Sequence, residues 1–148
     1  MSTRKTKPQT FLFEDDGYVP NNPKLPFVVY RGAIDLAGTA DPEELVEKMI
    51  TDNGWGETWR NGIYEYVHYH SMIHEGLGIA RGRAKVRFGG SKGEELDIAA
   101  GDFAILPAGT GHQCLWASPD LVVIPKVPMP DSDPVYGRNG PLLTLWRK

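Results

Sequence analysis

His68 and His70 stand two residues apart in an alternating stretch, residues 62–82, that reads GIYEYVHYHSMIHEGLGIARG. Successive side chains of a β-strand point to opposite faces, so Tyr64, Tyr66, His68 and His70 share one face. The two histidine Cα atoms would lie roughly 6.6 Å apart, and both imidazoles can then converge on one ion. Glu75 follows five residues later with a carboxylate oxygen to offer. A further histidine, His112, closes a second stretch, residues 101–112, that reads GDFAILPAGTGH. A lone His-x-His pair also occurs on solvated strand faces, so the wider spacing has to carry the argument.

That spacing is specific. Gly62, five residues, His68-x-His70, four residues, Glu75, six residues and Gly82 resembles the first signature motif of the cupin family. Gly101, five residues, Pro107-x-Gly109, two residues and His112 resembles the second, which in that family usually ends with Asn four residues after its histidine. Here that position is Trp116, an exchange expected to alter the pocket wall while sparing the ligands. Three longer stretches, PNNPKLPFVVYRGA, NGWGETWRNGIYEYVHYHS and PVYGRNGPLLTLW, are similar to the short bacterial single-domain cupins of the YjlB-like group, and together they span nearly the whole chain.

The resemblance implies a mainly β, jelly-roll-like cupin barrel formed by residues 1–148 as one domain, with motifs at 62–82 and 101–116. It also implies one divalent transition metal (Fe, Mn, Ni, Zn or Co) held by His68, His70, Glu75 and His112. Three neutral imidazoles and one carboxylate would leave the ion a net charge of about +1, with two octahedral positions for water or substrate. Such a site suits Lewis-acid chemistry on a bidentate substrate, or oxygen activation by iron. Tyr64 and Tyr66 are candidate ligand contacts, with packing inside the barrel as their alternative. A metal-dependent enzyme of dioxygenase or isomerase type, acting on a small polar molecule, follows. The alternative is a non-catalytic small-molecule binding module, which the lack of an accompanying effector domain disfavours.

The fourth ligand is contested between His74 and Glu75. A straight strand would turn positions 68, 70, 72 and 74 inward and select His74. A bulge or turn at Ser71-Met72-Ile73 shifts parity by one. Counting back from Gly82 lands on Glu75, which also shares parity with Leu77 and Ile79, residues expected inside. Glu75 is therefore expected at the ion and His74 beside it.

The elements that must position these residues can be read from the remaining pattern. Asp41-Pro42-Glu43-Glu44 starts a helix with a cap and a first-turn proline, Leu45, Val46, Met49 and Ile50 form its apolar face, and Asn53-Gly54 ends it. This helix should pack outside the barrel. Apolar runs at 11–13, 27–30, 77–80, 103–106 and 121–124 read as strands. In residues 83–88, Arg83, Lys85 and Arg87 alternate with Ala84, Val86 and Phe88, a half-buried strand with a solvated basic row. Cys114 and Trp116 share parity with His112 and should face its cavity. Pro20-Asn21-Asn22-Pro23 reads as a loop without a ligand role, and the 55–60 segment, with Trp55 and Trp59, as a plug at the barrel end, where Arg60 could stack on an indole. Residues 1–10 are expected to be flexible, and the Pro-rich tail 125–148 to strap across the barrel or reach a second subunit.

The bulk numbers set limits. The 148 residues fit one domain that buries about 70% of its unfolded surface. With 16 basic against 19 acidic residues, no positive excess exists to neutralise phosphates, which argues against nucleic acid. One cysteine, Cys114, permits no internal disulfide. With no signal-like or membrane-length apolar run, the expectation is a cytoplasmic protein without membrane contact. Apolar residues at 11–13, at 142–146 and at the two tryptophans lead to the expectation of a homodimer.

Overall fold

The computed structural model describes residues 7–58 and 60–128. Trp59 and the tail from 129 onward, with its 142–146 run, lie outside them, as do residues 1–6. In chain order the elements are β1 (Gln9–Phe11), β2 (Phe27–Tyr30), α1 (Pro42–Asp52), β3 (Trp55–Thr58), β4 (Glu75–Arg81), β5 (Arg83–Phe88), β6 (Glu94–Ala99), β7 (Phe103–Leu106), β8 (His112–Ala117) and β9 (Val122–Pro128), with a single 3₁₀ turn (Gly90–Lys92) between β5 and β6.

Among the described residues all strand pairings are antiparallel. They form a six-stranded sheet in the order β1-β2-β7-β4-β9-β3 and a three-stranded sheet in the order β6-β5-β8. Among the described residues the architecture is mainly β with one α-helix, as expected. Its two sheets face each other without a continuous hydrogen-bonded closure among the described residues.

Strand alternation sorts the apolar residues into two cores. Phe27, Val29, Leu77, Ile79, Ala104, Leu106 and Val123 point between the sheets, where they meet Val86, Phe88, Ile98 and Cys114. The intervening residues Val28, Ala80, Phe103, Ile105 and Ile124 point outward and are covered by Val46, Met49 and Ile50 of α1. The basic row of β5 is solvated as its alternation requires, and Ala84, Val86 and Phe88 are buried.

The helix begins and ends where its caps require. The Asp41 carboxylate accepts from the Glu44 N–H at 3.0 Å, Pro42 occupies the first turn, and Asn53 closes the end. Close docking of α1 depends on β4 carrying glycines on its outer face. A Cβ on Gly78 would meet Val46 Cγ1 at 2.5 Å, and one on Gly76 would meet Phe103 at 2.8 Å. The same alternation sends Glu75, Leu77 and Ile79 inward. An ion pair between Glu43 and Arg81 ties the helix start to the end of β4.

Several expectations need correction. The N-terminus is in a strand from Gln9, within the stretch expected to be flexible, because Gln9, Thr10 and Phe11 pair with Val29, Val28 and Phe27. The tail does not begin at Pro125, which lies in β9 opposite Leu77. There the missing N–H falls in the gap between the Thr58–Lys126 and Asn61–Val123 pairings, where no ladder bond is required of it. Of the apolar features that suggested a dimer, Phe13 and Trp55 are buried in the two cores, while Leu12 is 61% exposed. Arg60 pairs with Glu47 of α1 at 2.8 Å.

Candidate metal centre

The site lies where the segment 61–74 passes the start of β8. The turn expected at Ser71-Met72-Ile73 is present, but the alternating stretch before it, read as a strand, is not a regular one. The segment bends at 65–66 and 71–72 and touches its neighbours intermittently. His68 and His112 exchange both backbone bonds, at 3.1 and 2.9 Å. The Cys114 N–H donates to the Tyr64 carbonyl (2.9 Å), and the Gly109 N–H donates to the His70 carbonyl (2.8 Å). These four bonds align His68 and His70 with His112 although no regular ladder runs between them.

The three imidazoles converge. Each offers a nitrogen within 4.8 Å of the other two. The rings of His68 and His112 lie 3.9 Å apart between centroids. Glu75, at the start of β4, reaches His70 Nε2 at 3.0 Å and His112 Nε2 at 3.4 Å. His74 turns the other way: it is buried, and its Nδ1 accepts from the Ala108 N–H at 2.9 Å. Of the two residues in contention for the fourth position, only the Glu75 side chain is thus shown against the site histidines.

The proton inventory of these groups fits a cation. His68 Nδ1 faces the Tyr66 carbonyl at 3.2 Å and His112 Nδ1 faces the Thr110 carbonyl at 3.3 Å. A carbonyl only accepts, so each Nδ1 carries a proton, and in the neutral ring each Nε2 keeps its lone pair. At His112 that Nε2 faces a carboxylate, a second acceptor. Both acceptors are satisfied by an imidazolium, which donates from each nitrogen, or by a cation held between a neutral Nε2 and the carboxylate.

Electrostatics follow from burial and these contacts. Burial pushes the Glu75 carboxyl up, but hydrogen bonds from His112 and His70 outweigh it and bring the group down to about 2. His70 is raised, chiefly by its hydrogen bond to Glu75. His68 is lowered, chiefly by burial and then by the neighbouring His112.

Beside these groups is a cavity of about 140 Å³. Its polar end is the histidines and Glu75, and Ile63, Ile73, Leu77 and Pro125 form apolar wall. No lysine or arginine lines it among the described residues. Tyr64 lines the cavity and Tyr66 is not among the lining residues. The two rings stack at 4.9 Å, half or more exposed, so neither packs in an interior.

Trp116 does not alter this wall. Val86 pairs with Cys114 and Lys85 with Trp116, so Leu115 is the extra residue of a bulge. The bulge reverses parity after Cys114 and turns Trp116 to solvent, 51% exposed, with Arg83 over its ring at 5.4 Å. Cys114 itself points into the core between the sheets, where burial raises its thiol pKa.

The sequence reading missed the support behind His112. Asn21 and Asn22, read as loop residues, are both buried against the 108–111 turn. The available signal was two adjacent asparagines between prolines. Asn tolerates positive φ and offers donors and an acceptor in a short side chain.

No family model matches the chain. The chain is 35% identical to the uncharacterized protein YjlB of Bacillus subtilis (strain 168), over 95% of this chain and 97% of that protein. Among solved structures, a DUF861 family protein from Thermotoga maritima matches at 22% identity, covering 58% of this chain and 90% of its own, with a TM-score of 0.38. A predicted oxalate decarboxylase from the same organism matches at 15% identity, covering 87% and 99%, with a TM-score of 0.42.

Proposed function

Since the chain belongs to the YjlB-like cupins, we propose that it is a metal-dependent enzyme, of dioxygenase or isomerase type, acting on a small polar molecule. The observation that carries this reading is the convergence of His68, His70 and His112 on one point with the buried Glu75 carboxylate against two of them. One divalent transition metal, Fe, Mn, Ni, Zn or Co, would be held by these four residues. It would supply Lewis acidity or, if it is redox-active iron, oxygen activation.

The chain's own residues have separable tasks in this reading. His112 and Glu75 anchor from buried strands, and His68 and His70 complete the set from the cavity mouth. Tyr64 offers a hydroxyl at the rim for orienting a ligand. The apolar wall sheds water from a ligand's body and leaves its polar end for the ion. With three neutral imidazoles and one carboxylate, a divalent centre keeps about one unit of positive charge. No other cation lines the cavity among the described residues, so the ligand favoured is neutral or singly anionic. Homodimer formation remains part of the proposal, and a monomeric mass by light scattering at micromolar concentration would refute it.

The test is metal analysis of protein isolated without added metal, with triple substitution of His68, His70 and His112 by Ala as the comparison. Stoichiometric metal in the wild type that disappears in the variant is expected. Undiminished metal in the variant would overturn the ligand set. An empty site after careful reconstitution of the wild type would favour the alternative, a non-catalytic binding module.

A further inference from the structure

Behind His112 lies a second cluster that the metal reading does not use. Asn21 is 4% exposed and is the one non-glycine with positive φ, 55°, among the described residues. A left-handed asparagine costs free energy unless its surroundings over-determine it. They do so here through four hydrogen bonds. The side-chain N–H₂ donates to the Glu14 carbonyl (2.8 Å) and to the Gly89 carbonyl (2.9 Å). The side-chain oxygen accepts from the Gly111 N–H (3.1 Å), and the backbone N–H donates to the Gly109 carbonyl (2.9 Å).

These bonds converge on the turn that delivers His112. Gly111 is its immediate neighbour, and Gly109 holds the His70 carbonyl. The approach is close enough to exclude side chains: a Cβ on Gly109 would lie 2.6 Å from the Asn21 carbonyl oxygen, and one on Gly111 would lie 2.4 Å from Val19. The turn is thus pinned from the side opposite the imidazoles.

We propose that Asn21 is a positioning residue for the metal centre: by clamping Gly109 and Gly111 it sets the height and angle at which His112 meets His68 and Glu75. The inference rests on the metal reading above. It adds a residue 91 positions upstream that touches neither ion nor ligand. A few tenths of an ångström in the turn are enough to matter, because ligand sets tolerate only small departures from their preferred distances.

Asn21→Gly is the informative variant, since glycine accepts the same φ and the change removes the side-chain bonds alone. Its control is Asp102→Asn. Asp102 is a comparable buried hub at the other end of the sheets, accepting from Gly32 N–H (2.7 Å) and Ala99 N–H (2.9 Å). Both variants are titrated with Co(II), whose visible bands report ligand geometry, and both are melted. Asn21→Gly is expected to weaken Co(II) binding at least ten-fold and to shift the bands, whereas Asp102→Asn lowers Tm with wild-type affinity and spectrum. Wild-type affinity and bands in Asn21→Gly would reduce Asn21 to scaffold and overturn the inference. Absence of Co(II) binding by the wild type would sink the metal reading, and this inference with it. Should Asn21→Gly fail to fold, amide exchange in the wild type answers instead. Zn(II) should slow exchange at Gly111 more than at Ala99, and equal slowing would overturn the coupling.

Discussion

His112 and Glu75 stand on continuous strands and are 3% and 6% exposed, whereas His68 and His70 stand on an irregular, half-exposed segment. Both pairs face the same point, but different forces hold them. His112 is fixed by the β5–β8 ladder and by the turn clamped behind it. Glu75 is fixed by β4, whose alternation is enforced by two cores. His68 and His70 depend on a few separate backbone bonds across a bent segment. One wall of the candidate site is thus held by continuous ladders and two cores, the other by a few separate bonds.

Truncation should separate the two pairs most sharply. His112→Ala is expected to abolish metal binding and to cost about 2–4 kcal/mol of stability, because it opens a hole in a packed interior and strips Glu75 of a partner. His68→Ala and His70→Ala should also lose the metal, yet in the metal-free protein His68→Ala should cost less than about 1 kcal/mol, and His70→Ala, which also removes a Glu75 partner but opens no buried hole, an intermediate amount. Urea unfolding of metal-stripped samples makes the measurement, and equal losses at all three positions would break the distinction.

Glu75 contributes the next largest effect. Its carboxyl is depressed from 4.5 to about 2 in the folded chain. A depressed group stabilises above its unfolded pKa and loses that contribution as pH falls through the folded value. Metal-free wild type should therefore lose stability from this source between about pH 4.5 and 2, on the order of 3 kcal/mol at the limit. Glu75→Gln should lack this acid limb. Parallel stability curves for the two proteins between pH 6 and 3 would contradict the pairing of Glu75 with His112 and His70.

A smaller difference should appear within the exposed pair. His70 gains a carboxylate partner and its pKa is raised, while burial lowers that of His68. Proton NMR of the metal-free protein should show His70 titrating above 6.5 and His68 below it. The stabilisation from His70 is full below its unfolded pKa and fades as pH rises through the folded one. For His68 the sign reverses, and acidification removes stability. Coincident titrations would show that the bent segment does not hold the two rings in different surroundings.

The same contrast explains how far the sequence could be read. Period-two reasoning succeeded wherever strands are regular. Glu75 was placed inward from its parity with Leu77 and Ile79, and the Arg83–Lys85–Arg87 row was placed outward. The helix over Pro42–Asp52 was legible because its cap, first-turn proline and apolar face agree. The turn at 71–72 was legible from the spacing back from Gly82, whereas parity failed at the bulge at Leu115 and gave no sign of the bend at 65–66. Parity also failed for Asn21, since what buries that residue is contact with Gly89 and Gly111, about 70 and 90 positions away, and no window of neighbouring residues contains them.

Cys114 tests the parity argument on the regular side of the bulge. It shares parity with His112, but it points deeper, among Val86, Leu106 and other core residues, and its thiol donates to the Trp116 carbonyl at 3.4 Å. Burial raises the thiol pKa, which leaves little thiolate to ligate or react near neutral pH. Cys114→Ser should keep stoichiometric metal and, with a substrate in hand, most of the activity, at a stability cost of about 1 kcal/mol. Complete loss of activity with metal still bound would make Cys114 a participant.

Trp116 should show the smallest effect of all. The cupin pattern usually has Asn at this position, and straight-strand parity would have put an indole in the cavity wall. Because of the extra residue at 115, the ring lies instead on the solvent face of the three-stranded sheet under Arg83. An exposed cation–π contact of this kind is worth about 0.5–1 kcal/mol. Trp116→Asn should therefore lower stability by no more than that, and should leave metal affinity and the Co(II) spectrum as in the wild type. A ten-fold change in affinity would mean that residue 116 reaches the site in solution and that the bulge does not hold.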